Sequence, residues 1–217
     1  MLKKNKHLPF LLGVLLLSNV LFSGCLKEGD DTIVLPLPDG KIPYSVIPAN
    51  LQDSLRAHGF TINEGLEAPM IEGTYLISPM DLQFASDEYV NRFYDLTMSF
   101  VGQKPRGIIQ YSEVQRIDVV GQSIQALSNI IGSDSSFTVY CYQTVTLMNG
   151  ADTNYCCKIA TAISGVAVEN GFKDCQYAYI MLDIIKAKND YWRSQIPAAN
   201  TYRIWNDGDA FTTKISK

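Results

Sequence analysis

The chain has 217 residues, 18 basic and 22 acidic side chains and a formal charge of −4, with 47% hydrophobic and 11% aromatic content. The acidic balance argues against nucleic acid as a partner, because phosphate binding needs clustered cations. The length suits one moderate domain with an ample core, and no self-similarity appears at solenoid periods.

Lys3, Lys4, Lys6 and His7 make a basic start, an apolar run covers residues 8–22, and small Ser23 and Gly24 precede Cys25. The run is short for a bilayer span and carries Pro9, so it reads as an export signal. No later segment reaches the ~18 consecutive apolar residues of a spanning helix. The segment Leu21-Phe22-Ser23-Gly24-Cys25 resembles the bacterial lipobox. That resemblance implies cleavage after residue 24, acylation of Cys25 and anchoring of the protein to a membrane through several acyl chains. Leu26-Lys27-Glu28-Gly29-Asp30-Asp31 is similar to the acidic export tag of Bacteroidetes surface lipoproteins, which implies the outer membrane and its cell-surface face. Asp31-Thr32-Ile33 and Asp53-Ser54-Leu55 resemble the short O-glycosylation motif of that phylum, and Thr32, in the tether, is the better acceptor. Removing residues 1–24 takes three lysines and no acid, so the charge falls to −7. Lipid rather than surface charge is then expected to hold the protein at its membrane. The expected organisation is a signal peptide over 1–24, lipidated cysteine and tether over 25–45, and a single mostly β domain over 46–217.

The tether reading rests on acidic residues followed by Pro36, Pro38, Gly40 and Pro43. A helix of about two turns follows. Asn50 is expected to cap it, Leu51 and Leu55 share a face, Asp53 lies in the first turn, and Gly59 stops it. Ile71-Glu72-Gly73-Thr74-Tyr75 resembles the opening of lipocalin-type barrels, with tyrosine in place of tryptophan. The resemblance implies a barrel interior able to hold a small hydrophobic molecule, and an arginine, Arg203, packed across Tyr75.

From residue 71 the period becomes two. Tyr94, Leu96, Met98 and Phe100 alternate with Asp95, Thr97 and Ser99. Over 137–147, Phe137, Val139, Cys141, Val145 and Leu147 form one face, and Thr138, Tyr140, Tyr142, Thr144 and Thr146 the other. Asn149-Gly150 supplies a turn and 155–164 returns as a second strand. Pairing about Ala151 sets Val145 opposite Cys157 and Cys141 opposite Thr161. Further strands are expected at 74–78, 107–116, 177–187, 201–206 and 210–215, while 121–131 fits helix and strand equally. The fold class is therefore mostly β: an antiparallel β-sandwich or β-barrel of about eight strands with a short N-terminal helix.

In that register Cys141 and Cys157 lie too far apart for a disulfide, and Cys156 and Cys175 remain a weak pair. Adjacent Cys156 and Cys157 point to opposite faces, no CxxC spacing occurs, and neither metal nor cofactor is expected. Asn206-Asp207-Gly208-Asp209 lacks the spaced ligands of a calcium loop and reads as a tight turn. Downstream of the signal the single histidine, His58, ends the short helix, where it reads as a C-terminal cap. No GxSxG, P-loop, GxGxxG or HExxH motif is present, so an enzyme is not expected. A pair of carboxylates has no fixed spacing, which leaves Glu72, Glu88 and Glu113 as unforbidden.

Aromatic side chains carry the functional expectation. Tyr140 and Tyr142 lie on the polar face of their strand, and Tyr191, Trp192, Tyr202 and Trp205 crowd the C-terminal region. Flat rings on a rigid sheet stack on sugars at low entropic cost. The sequence therefore predicts a non-catalytic envelope protein whose partners are a membrane, through the lipid, and a glycan or envelope protein. The alternatives are a lipocalin-like carrier of a small hydrophobic molecule and a structural or assembly subunit of an outer-membrane complex.

Overall fold

The computed structural model describes residues 39–90, 95–117, 120–149 and 152–216. Cys25, Thr32, the export signal, the acidic tag, Tyr94 and the Gly150 turn position lie outside them. In chain order the elements are α1 (Ala49–Ala57), β1 (Gly73–Ile77), β2 (Met80–Ala85), β3 (Leu96–Lys104), β4 (Ile108–Ile117), β5 (Val120–Ser133) and β6 (Ser136–Asn149). β7 (Asp152–Val168), β8 (Gly171–Ala187), α2 (Asp190–Ser194), β9 (Tyr202–Asp207) and β10 (Phe211–Ser216) follow. The strands form one antiparallel sheet in the order β10-β1-β3-β4-β5-β6-β7-β8-β9-β2. β10 also pairs with the start of β8, closing a ring of eight strands from which β9 and β2 continue along the middle of β8. The expected mostly β, antiparallel architecture is the observed one.

Alternation places a dry cluster on one face of the ring. Tyr75, Met98, Phe100, Tyr111, Phe137, Phe172, Tyr177 and Trp205 are all buried there. Their rings pack in offset and edge contacts, with Tyr75 over Phe172 at 4.0 Å and Phe137 edge-on to Phe172 at 4.7 Å. Fully burying one such side chain contributes about 1.5–3 kcal/mol. The opposite face of β6–β9 is covered as well. Ala160, Ala162 and Ala178 make a floor of small side chains onto which α1 sets Leu51 and Leu55, joined by Ile42, Val46, Ile47 and Phe60.

That second layer corrects the tether boundary: Ile42 is 2% exposed, so the chain packs from its first described residues onward. Buried Gln52 fixes this segment by donating from Nε2 to the carbonyls of Ile42 at 2.9 Å and Ile47 at 2.7 Å. The cap of α1 also differs from expectation. Pro48 holds the N-cap position, Asn50 lies inside the first turn, and Asp53 lies beyond it and faces Arg56 at 3.8 Å. Gly59 ends the helix at φ +87°, as its sequence position implied.

The β6–β7 hairpin has the expected register, Val145 opposite Cys157 and Cys141 opposite Thr161. Residues 121–131 resolve as part of β5, and β8 starts six residues earlier than expected. Two elements are additions, β2 and the five-residue α2, whose N-cap Asn189 accepts from Trp192 N at 3.1 Å. Cys141, Cys156, Cys157 and Cys175 are all free thiols, so the Cys156–Cys175 pairing is not made. Asn206–Asp209 is the tight β9–β10 turn, closed by Ala210 N to Asp207 O at 3.0 Å. Arg203 does not reach Tyr75. Its guanidinium lies 3.8 Å from the Tyr89 ring centroid and pairs with Asp87 at 2.6 Å, while Lys214, opposite Tyr75 in the ladder, approaches that ring at 5.4 Å.

Gly132 turns β5 toward β6 at φ +152°, and a Cβ there would stand 2.1 Å from the Ser136 carbonyl oxygen. Gly132→Ala is therefore expected to destabilise the protein by about 2–4 kcal/mol in urea denaturation. A loss under about 0.5 kcal/mol would show that this turn relaxes freely.

Candidate functional site

Two constellations carry chemistry beyond packing. The first is inside the ring. On β4 the inward parity runs Ile109, Tyr111, Glu113, which places a carboxyl on an otherwise apolar face. The Tyr111 hydroxyl donates to Glu113 Oε2, and the Tyr177 hydroxyl, from β8, donates to Oε1 at 3.2 Å. β4 and β8 stand four places apart in either direction around the eight-strand ring, so this pair of phenols braces the interior across its width. Among the described residues no ion pair reaches Glu113.

Burial pushes the Glu113 carboxyl up from 4.5 to about 7, against the two phenol hydrogen bonds, which favour the charged form. The same burial, and then the neighbouring carboxylate, drives both phenols well above their usual value. The Cys141 thiol is pushed up to about 12 by burial first and Glu113 second, so it is a poor nucleophile. The cluster can hold or release one proton near neutrality. Glu72 and Glu88 are exposed, so of the three acids considered only Glu113 is inside the ring. No group of three or more His, Cys, Asp or Glu side chains suited to a metal ion occurs among the described residues.

The second constellation is outside. α2 presents Tyr191, 58% exposed, and half-buried Trp192, with ring centroids 5.1 Å apart and planes at 76°. Tyr155 of β7 stands 6.2 Å from the Trp192 ring. Beneath them Ile159, Met181, Cys157 and Ile196 form a small dry cluster that also packs against Tyr155.

The six aromatic residues singled out in the sequence do not form one platform. Tyr140 and Tyr202 are buried in the layer under α1, with Tyr142 packed at its margin. Trp205 is 1% exposed in the ring cluster, 5.8 Å from the Tyr177 ring. Only Tyr191 and Trp192 come together at the surface. The polar face of β6 holds Tyr140 buried because residues 42–60 cover it. Tyr155 was missed, although its place near the start of the second hairpin strand was a usable signal. His58 is the C-cap of α1. Its Nδ1 lies 2.9 Å from Ser54 O and 3.0 Å from the Tyr202 hydroxyl, and its ring stacks on Phe84 at 3.7 Å, a structural setting.

Glu113 makes stability depend on pH with a definite sign. Its folded value is raised, so its contribution is fully present below pH 4.5 and is lost as pH rises through about 7. Asp207, raised from 3.8 to about 6 mainly by burial, acts in the same direction. Asp87, lowered with Arg203 bonded to it, acts oppositely and only toward and below its usual 3.8. Melting temperature should therefore fall between about pH 4.5 and 7. Glu113→Gln should flatten part of that slope and Glu113→Gln with Asp207→Asn most of it; an unchanged slope in the double variant would contradict the assignment. No known protein family matches the chain, and neither a curated protein nor a solved structure matches it.

Proposed function

We propose that this chain is a non-catalytic, lipid-anchored protein of the bacterial outer membrane that binds a glycan or another envelope component at the cell surface. The observation that carries the binding part is the orthogonal pair of exposed Tyr191 and half-buried Trp192 on α2, backed by Tyr155. Two rings at right angles offer one face to a sugar ring and one edge to its hydroxyls. The helix that holds them is pinned by the Asn189 cap and by Ile196, so the pair is ordered before it meets a ligand. The anchoring part rests on the sequence alone, on the lipobox-like segment ending in Cys25 and the acidic residues after it.

A glycan-array screen of residues 26–217 is expected to find a binder, and Trp192→Ala to weaken it at least tenfold, about 1.4 kcal/mol. Equal binding by Trp192→Ala and Tyr191→Ala would remove α2 as the platform. In cells, Cys25→Ala should release the protein from the membrane fraction. Retention of that variant with acyl label would refute the anchor.

A further inference from the structure

β5 and β6 begin as a hairpin and then separate. Their ladder runs only from Ser133 opposite Ser136 to Asn129 opposite Tyr140, although each strand has 14 residues. Beyond that point residues 120–128 of β5 stay paired with β4, and residues 141–149 of β6 with β7. Among the described residues, no strand lies on the other side of 141–149, so nine consecutive residues present a strand edge.

Strand edges attract other strands, and proteins guard them with charge, proline, bulges or shortness. Two other edges of this sheet are guarded. β2 has six residues, carries Asp81 and is irregular between Leu82 and Phe84. β8 past its β9 partner carries Asp183 and Lys186. The β6 edge, Cys-Tyr-Gln-Thr-Val-Thr-Leu-Met-Asn, has no charged residue, no proline and a high content of strand formers. The facing half of β5 is likewise uncharged. On β6 the side chains that point away from the ring interior, Thr144, Thr146 and Met148, are exposed.

We propose that residues 141–149 of β6 are a self-association edge, pairing antiparallel with the same residues of a second copy of this chain. A two-fold axis at Val145 sets Thr144 opposite the partner's Thr146, Tyr142 opposite the partner's Met148 and Val145 opposite itself. Such isologous pairing opposes each residue with one from the same short segment, so any charge in the segment would restrict it. An uncharged edge with threonines at the central outward positions suits this occupant, and the pairing joins the sheets of two copies into one.

Sedimentation velocity on the full chain, in a density-matched detergent, tests this. The expected result is a reversible monomer–dimer equilibrium. Thr144→Lys with Thr146→Lys places like charges opposite each other across the axis and should raise the dimer dissociation constant tenfold or more. Thr144→Glu with Thr146→Glu should do the same. Mixing the two variants should restore a dimer, because lysines then meet glutamates. Both threonines are exposed, so an unchanged far-UV spectrum checks that the fold is kept. A wild-type chain that stays monomeric up to about 1 mM overturns the proposal, as does a dimer unaffected by both variants or a mixture that fails to pair.

Discussion

Closure of the ring depends on a three-residue contact between β10 and the start of β8, in which Phe211, Thr212 and Thr213 face Lys173, Phe172 and Gly171. Gly171 lies at φ +158°, and a Cβ built on it would stand 2.0 Å from the Thr212 carbonyl oxygen. The last strand can seat there only because the side chain is absent. Phe172, the next residue, turns inward and contacts Tyr75, Phe100 and Phe137, so the same short contact delivers a ring to the centre of the core. β8 is 17 residues long in all, pairing in turn with β10 and β9 on one side and with β7 along the other. It belongs to both the ring and the annex, and through Tyr177 it also reaches the buried carboxyl.

The interior shows how a polar group is accommodated in a dry core. Removing a carboxylate from water is costly unless hydrogen bonds replace the lost hydration. Among the described residues Glu113 has two phenols and no cation, a supply that leaves its proton affinity high. A hydrophobic residue of similar size would pack there without that tension, while the existing group fixes the relation between two opposite strands. The α2 patch follows a different logic. Its aromatic residues are held by a five-residue helix too short to form alone, which is ordered by one side-chain cap and a small cluster below it.

Much of the sheet was legible in the amino-acid sequence, because strands with one buried face write a period of two. Leu96, Met98 and Phe100 in β3 and the long run in β6 show it plainly, and the expected opposition of Val145 to Cys157 holds beyond a bulge at Leu147/Met148. Parity says which residues share a face; it does not say whether the second face is also covered. Here the cover comes from residues 42–60, of which the first four read locally as the end of a tether and the rest as a short helix whose seat on the sheet no local pattern reveals. Tyr140 and Tyr202 were therefore assigned to an exposed surface that is buried under α1. β2 was hidden for a related reason: Leu82 is 36% exposed, and the strand exists because β9 offers it an edge. Of the candidate sites, Tyr191 and Trp192 were visible from composition and Tyr155 from its place in the hairpin, whereas Glu113 acquires meaning only once β4 and β8 are placed on opposite sides of the ring.

The outer layer has a mechanical consequence. A pull on the chain N-terminal to Asp39 acts first on residues 39–66, which are attached to the sheet through apolar contacts, scattered hydrogen bonds such as those of Asn63 with Thr138 and Phe137 and of Gln176 with Gly59 and Thr61, and the isolated bridge from Leu66 to Gly132. These fastenings lie side by side against one face, while the ring strands are joined by their own ladders. Tension would peel the α1 layer from its alanine floor before it strained the ring, leaving Glu113 and the aromatic patch in place. The layer would thus act as a strain relief between whatever holds the chain's beginning and the body that carries its sites.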